Sequence, residues 1–326
     1  MGKAGEIKRN HHYVWAHYLR SWAVSNNIWH IGPSGKVSFN SVKGLSKEEG
    51  YNNIKALGAE DIRFLKKWPT HDSELLKQFH MRQIAHFEHA SFLMNCHIGQ
   101  EGQPEYEELR RISRETEANV FEETHTMIES LARPILDSLI SGDASCLESS
   151  KNSTNFCNFL AHQLMRTRKV RDLVMAEYNK IQPKNSVEED CIRLFKKNWW
   201  LISFLNGSSF GYGLVIGLNQ SYRTFITNNT DTPFITSDCP VVNIHESSSR
   251  KTPLVPPTGM ELYYPVSPKY AYIIGDTDKY ARLSRQISED EVRELNLAMV
   301  SNAHLTIYAN SEKAIKEARS RYKRVR

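Results

Sequence analysis

The segment Gly207-Ser-Ser-Phe-Gly-Tyr-Gly-Leu-Val-Ile-Gly-Leu218 separates two parts of the chain that differ in their hydrophobic pattern. Its four glycines disfavour a regular helix, because glycine loses more backbone freedom on folding than any other residue. We therefore predict that the preceding helix, over residues 187–205, ends before this segment. The patterns on its two sides determine the expected fold class.

Helical spacing dominates the residues before this segment. Ser73 is a suitable N-cap for a helix to about Ile98, with Leu76, Ile84 and Phe87 among its apolar residues. Two further helices are predicted over residues 105–140 and 153–181. The many Glu and Arg side chains of 105–140 are expected on a solvated face.

Short runs of aromatic and β-branched residues dominate after it and predict strands of one sheet over 222–227, 233–237, 261–266 and 270–274, with a further strand over 304–308. A capping box of Ser288 and Glu291 predicts a helix to about residue 300, and a last helix follows Ser311.

The N-terminal part combines a short aromatic helix over 13–23 with a hairpin of 28–31 and 36–39. We predict an α+β fold with a central helical bundle packed against a mostly antiparallel C-terminal sheet. The predicted segments are 1–72, 73–206 and 207–326, in one interlocked domain.

The formal charge of +5 lies at the C-terminus of the 326-residue chain. Residues 312–326 hold seven cations and two anions, and the remainder carries 35 charges of each sign. A protein that is basic on every face is therefore excluded. We expect the tail to bind a nucleic acid or another polyanion through Lys313, Lys316, Arg319, Arg321, Lys323, Arg324 and Arg326.

Several protein classes are disfavoured by what the sequence lacks. No apolar run approaches the roughly 18 to 20 residues of a membrane span, and the start has no secretory pattern, so we expect a cytoplasmic protein without membrane contact. Its five cysteines form no CxxC pair, and the glycines match neither dinucleotide-binding nor Walker motifs. His86 and His89 lack a clear third metal ligand, and an exposed helix face is expected there.

Asn10-His11-His12-Tyr13 precedes the first predicted helix. Two adjacent imidazoles point in different directions on a regular backbone, so one would face a site while the other packs or caps. Histidine titrates near neutral pH and can provide a base, a proton donor or a metal ligand. The alternative is a capping and packing cluster, with Asn10 as an N-cap.

His162-Gln-Leu-Met-Arg166 places His162, Gln163 and Arg166 along one edge of a predicted helix. Arg166 could bind a carboxylate or phosphate through two hydrogen bonds. The alternative is a solvated face with one structural ion pair.

Phe234-Ile-Thr-Ser-Asp238-Cys-Pro240 is an apolar strand that ends in a carboxylate and is stopped by proline. Asp238 is the strongest single candidate for an acid, a base or a metal ligand. An Asx turn in which Asp238 caps nearby amides is an equally good explanation.

Together these segments resemble a family of bacterial proteins catalogued as domain of unknown function 4238, over about residues 10 to 310. Trp15 and Ala16 depart from the usual Pro and Gln of the family's N-terminal box. The resemblance implies no established chemistry, but it adds Asn296 to the residues of interest. The matching elements are Asn10–Val14, Tyr18-Leu19, His162–Thr167, Phe234–Val241, Tyr263–Pro268, Asn296 and Ser301-Asn-Ala303.

We therefore expect a metal-dependent phosphodiester hydrolase, a nuclease of the kind used as bacterial toxins or in defence against phage. Its catalytic residues would be His11, His12, Gln163, Arg166, Asp238 and Asn296. His12 and Asp238 would hold Mg²⁺ or Mn²⁺ or activate water, and Arg166 would neutralise charge on the phosphate.

The competing hypothesis is a non-enzymatic protein that binds nucleic acid or protein or has a regulatory role. In it the same His, Arg and Asp side chains form a buried structural network that joins the first helix, the bundle and the sheet.

Overall fold

The computed structural model describes residues 7–68, 73–248, 257–284 and 286–325, and its fold is α+β. The strands are β1 (Asn10–His12), β2 (Asn27–Ile31), β3 (Val37–Ser41), β4 (Lys47–Glu49), β5 (Tyr222–Thr227), β6 (Thr236–Ser237), β7 (Val242–Asn243), β8 (Glu261–Pro265), β9 (Tyr270–Gly275) and β10 (Ile307–Ala309). The helices are α1 (Ala16–Leu19), α2 (Ala59–Lys66), α3 (Glu74–Asn95), α4 (Tyr106–Ile140), α5 (Ser150–Met165), α6 (Arg168–Tyr178), α7 (Ser186–Gly217), α8 (Glu289–Asn302) and α9 (Glu312–Val325).

Three antiparallel sheets are present in the described residues, and β6 lies in a different sheet from β5, β8 and β9, so the expectation of one sheet for the four predicted strands was wrong. The strand orders are β1-β4, β3-β2-β10-β6 and β5-β9-β8-β7. The predicted N-terminal hairpin, β2 and β3, is confirmed, and its β2 strand pairs with the C-terminal β10. Residues from both ends of the chain thus complete one sheet.

The predicted helix caps on α3, α8 and α9 are confirmed. The Ser73 hydroxyl accepts a hydrogen bond from the Leu76 amide, and Ser288 and Glu291 form the capping box of α8. The Ala314 amide donates to the Ser311 hydroxyl at 3.2 Å, at the start of α9. Among the described residues, no helix has both the length and the apolar character of a membrane span.

Other local predictions were wrong. Asn10 to His12 form a strand, and Trp15 rather than Asn10 occupies the N-cap of α1, which is a single turn. The helix predicted over 153–181 is two helices, because Thr167 is extended and the Arg166 carbonyl accepts the Tyr51 hydroxyl at 2.7 Å. The strands predicted over 233–237 and 304–308 shorten to β6 and β10.

Helix α7 continues through the glycine-rich segment, so the predicted helix end at residue 205 was also wrong, and the segment boundary at 206/207 falls inside this helix. Its glycines allow close packing against α5. A Cβ atom on Gly207 would lie 2.9 Å from His162 Nδ1, and one on Gly211 would lie 3.1 Å from the Asn158 Cα atom. The packing that these glycines permit compensates for their low helix propensity.

Helix α9, which carries the basic tail, also contributes to the hydrophobic core. Its inner face carries Ala314, Ile315 and Ala318, which are buried next to residues of the sheets and α8. The tail is therefore an amphipathic helix with one face anchored in the protein.

Two glycines on α7 provide a test of this packing. Gly207→Ala should lower the free energy of unfolding by about 1–3 kcal/mol, because the added methyl group meets the enclosed His162 ring. Gly213→Ala, where nothing lies within 4 Å of the added carbon, should raise it by up to about 1 kcal/mol. Urea denaturation of both variants measures the difference, and a change of the same sign in both would contradict the packing account.

Candidate active site

Helix α4 presents three ionisable side chains at a spacing that places them on one helix face: Glu122, His125 and Glu129. His125 is 3% exposed, while the two carboxylates are partly buried. Burial, together with the charge of Arg166 and the neighbouring His162, holds the pKa of His125 well below its usual value. The expectation of a solvated face for α4 was therefore wrong for this stretch.

Arg166 lies at the C-terminal end of α5, where the chain leaves the helix, and its side chain is only 8% exposed. One guanidinium nitrogen donates to Glu129 Oε1 at 2.5 Å. Burial raises the pKa of Glu129, although the positive charge of Arg166 acts to lower it. The Arg166 Nε atom is buried and has no partner among the described residues, so it is a donor that a water molecule or a ligand would have to satisfy.

His12 projects from β1 toward the charges of Glu122 and Arg166. Burial lowers the pKa of His12, and the charge of Glu122 partly opposes this. The buried Nε2 atom of His12 has no partner among the described residues. In the tautomer protonated at Nδ1, His12 presents the lone pair of Nε2, the form that a general base requires.

His11 has the opposite tautomer. Its Nδ1 atom accepts a hydrogen bond from the Asn52 amide at 2.9 Å, so Nε2 carries the proton when the ring is neutral. This Nε2 atom is also buried without a partner. The Asn52 side chain donates in turn to Glu122 Oε2 at 2.5 Å, which connects His11 to the face of α4.

We call His12, Glu122, His125, Glu129, Gln163 and Arg166 the Arg166 cluster. Gln163 donates to the Tyr13 carbonyl at 3.0 Å, and its side-chain oxygen is buried without a partner. Tyr264 borders the cluster: its buried hydroxyl also lacks a partner, and the charges of Arg166 and Glu129 act on it. An unsatisfied buried polar group costs about 1–3 kcal/mol, so several of them in one region call for a bound water molecule, ion or ligand.

Asp238 is held by backbone amides. Its carboxylate oxygens accept the backbone amides of His304 at 2.9 Å and Leu305 at 2.7 Å, which fixes the loop between α8 and β10. Burial raises the pKa of Asp238 in spite of these hydrogen bonds. This arrangement matches the capping alternative, since both oxygens are already engaged by the protein.

Asn296 likewise contacts the backbone. Its side-chain oxygen accepts the Ile235 amide at 3.0 Å, and its nitrogen donates to the Pro233 carbonyl at 2.9 Å. The side chain thus secures the segment before β6 to α8, and this contact has a structural role.

The structure connects several of the expected site residues. His12, Gln163 and Arg166 share the cluster, and His11 joins it through Asn52. Glu122, His125 and Glu129 were missed, although their spacing of three and four residues was visible in the sequence. Asn52 and Tyr264 have no comparable signal. Among the described residues, no group of three or more His, Cys, Asp or Glu side chains could hold a metal ion.

The basic tail is described in part. Lys313 and Lys316 are exposed, and Lys316 pairs with Glu312 at 2.5 Å. The Arg319 guanidinium lies beside Gly35. The side chains of Arg321, Lys323 and Arg324, and the whole of Arg326, lie outside the described residues.

Residues 10–204 and 205–313 match the model of a family described as protein of unknown function (DUF4238). The chain belongs to this family. The match begins at β1 and ends within α9, so it includes the Arg166 cluster and every strand described above. No curated protein and no solved structure matches the chain. The family assignment names no reaction, and the chemistry has to be argued from the site.

The buried histidines predict a specific dependence of stability on pH. Burial lowers the pKa of His162 to about 3, so the unfolded chain binds a proton that the folded protein excludes. This contribution is fully present above the unfolded pKa of about 6.5 and is lost as the pH falls from there toward 3. At pH 5 the loss from His162 alone is about 2 kcal/mol.

The unfolding free energy of the His162→Leu variant should therefore fall less between pH 7.5 and pH 5 than that of the parent protein. Ser208 keeps its hydrogen bond to the Phe204 carbonyl in this variant. His89→Leu, on an exposed face of α3, is the matched control and should behave as the parent. Equal pH dependence in all three proteins, measured by urea denaturation, would disprove a neutral buried His162.

Proposed function

We propose that the protein is a hydrolase of phosphodiester or nucleotide substrates, with the Arg166 cluster as its active site. One observation carries the proposal: a buried acceptor, His12 Nε2, and a buried donor, Arg166 Nε, both lack partners within one charged cluster. A water molecule and a phosphate oxygen supply the matching donor and acceptor.

In this mechanism the lone pair of His12 Nε2 takes a proton from water as the water oxygen attacks phosphorus. The bond from phosphorus to the leaving oxygen breaks, and that oxygen takes a proton from solvent. Arg166 neutralises the charge that develops on the phosphate oxygens, while Glu129 holds its guanidinium in place. The lowered pKa keeps His12 in its basic form at neutral pH.

A divalent ion remains part of the proposal. Both Asp238 oxygens accept backbone amides, which makes this residue a poor metal ligand. Glu122 fits better, since it is a partly buried carboxylate whose charge acts on His12. Mg²⁺ commonly uses one or two carboxylates together with substrate phosphates, and when bound it would polarise the phosphate.

A nuclease that acts as a toxin or in phage defence is the setting we propose, in the cytoplasm, with α9 as the contact to nucleic acid. The exposed Lys313 and the cationic residues that follow it support an electrostatic contact with a polyanion.

The second candidate is a non-enzymatic binding or regulatory protein with a buried structural network. The contacts of Asp238 and Asn296 favour it, because both side chains hold backbone groups of their own fold. The unpartnered atoms of the Arg166 cluster favour the hydrolase, because a structural network satisfies its own members.

Purified protein with Mg²⁺ or Mn²⁺ should cleave at least one of RNA, single-stranded DNA, duplex DNA or nucleoside triphosphates. His12→Gln and Arg166→Lys should lower kcat/KM by about 100-fold or more, since each removes a group that acts in the transition state. The controls are His89→Gln and Arg110→Lys, at exposed positions on α3 and α4. No cleavage of any substrate, or full activity in both cluster variants, would refute the hydrolase.

The melting temperatures of His12→Leu and His125→Phe separate the two candidates even without a substrate. If the cluster is an active site, replacing one of its unsatisfied polar side chains by an apolar one should leave the melting temperature unchanged or raise it. A structural network predicts that both fall by several degrees. A clear fall in both variants would support the non-enzymatic protein.

A further inference from the structure

A groove separate from the Arg166 cluster lies between α3 on one side and α5 and α7 on the other. It has a volume of about 460 Å³, which is within the range of small-molecule sites. Its walls include Leu76, Phe79, Tyr212 and Val215. A largely apolar concave surface of this size is typical of a site for an apolar ligand.

The apolar wall from α3 is open to solvent. Leu75 is 68% exposed and Phe79 is 38% exposed, although burial of leucine and phenylalanine side chains is energetically favourable. They lie four residues apart on the same helix face, so both border the groove. A ligand in the groove would cover the two side chains together.

One end of the groove is closed by the protein itself. The Ser73 hydroxyl, at the start of α3, donates to the Tyr212 hydroxyl on α7 at 3.0 Å. Gly211 lets α7 approach the Asn158 backbone of α5, which forms the floor. The groove is therefore formed by the rigid packing of three helices.

Arg82 identifies the chemistry of the ligand. It follows Leu75 and Phe79 on the same face of α3 and borders the groove. No described carboxylate pairs with it. A largely apolar groove bordered by a guanidinium that no described carboxylate neutralises complements a molecule with an apolar chain and one anionic end.

We propose that this groove binds a long-chain carboxylate, with the acyl chain between α3 and α7 and the carboxylate at Arg82. The chain covers Leu75 and Phe79, and the guanidinium donates to the carboxylate oxygens. This binding requires no hydrolytic chemistry and is independent of the function proposed for the Arg166 cluster.

Calorimetric titration with dodecanoate, below its micelle concentration, tests the proposal on the full chain. One molecule should bind per protein, and Arg82→Gln should weaken binding about tenfold while the affinity for dodecanol stays the same. Phe79→Gln should weaken the binding of both dodecanoate and dodecanol. The matched control is Arg110→Gln, an exposed arginine on α4 that should bind as the parent.

Several results would overturn the proposal: no saturable dodecanoate binding, unchanged affinity in Arg82→Gln, or equal affinity for dodecyltrimethylammonium. Sedimentation tests the other occupant, a second copy of the chain. A parent dimer that Leu75→Gln converts to a monomer would assign the groove to self-association and would also overturn the carboxylate site.

Discussion

The burial of the Arg166 guanidinium is the constraint on which the rest of the structure depends. A buried cation needs a close counter-charge, and Glu129 supplies it at 2.5 Å from the neighbouring α4 helix. The same ion pair joins α5 to the face of α4 that carries Glu122 and His125. Arg166 also ends α5, because its carbonyl is bonded to Tyr51 rather than to a following helical turn.

Close packing of α5 and α7 makes this burial possible. Gly207 and Gly211 let the two helices approach until the His162 ring lies against the α7 backbone. His162 in turn neighbours His125, with ring centroids 6.1 Å apart. Glycine thus acts here as a packing residue within a 32-residue helix, and the approach of the helices encloses the histidines in a region where their neutral forms are favoured.

The fold class, the hairpin and the caps at Ser73 and Ser288 could be predicted from the sequence because they depend on local pattern. The course of α7 could not, since helix propensity opposes its glycines and only the tertiary contact with α5 outweighs that preference. The sheet membership of β6 also depends on distant pairing, with β10 some seventy residues later.

The site was predictable to a similar extent. His12 was visible as one of two adjacent histidines, and Gln163 and Arg166 as polar residues along one edge of a predicted helix, whereas the carboxylates of α4 resembled an ordinary charged helix surface. Asp238 and Asn296 show the limit of such patterns, because a polar residue beside a strand has the same appearance whether it serves catalysis or secures a loop.

A crystal structure of the protein grown with orthovanadate tests the central claim most directly, namely that the unpartnered atoms of His12 and Arg166 face a ligand. The account predicts an oxyanion within about 3 Å of Arg166 Nε, with His12 Nε2 directed toward the same ion. An empty cluster in which His12, Gln163 and Arg166 satisfy one another directly or through buried waters would contradict it.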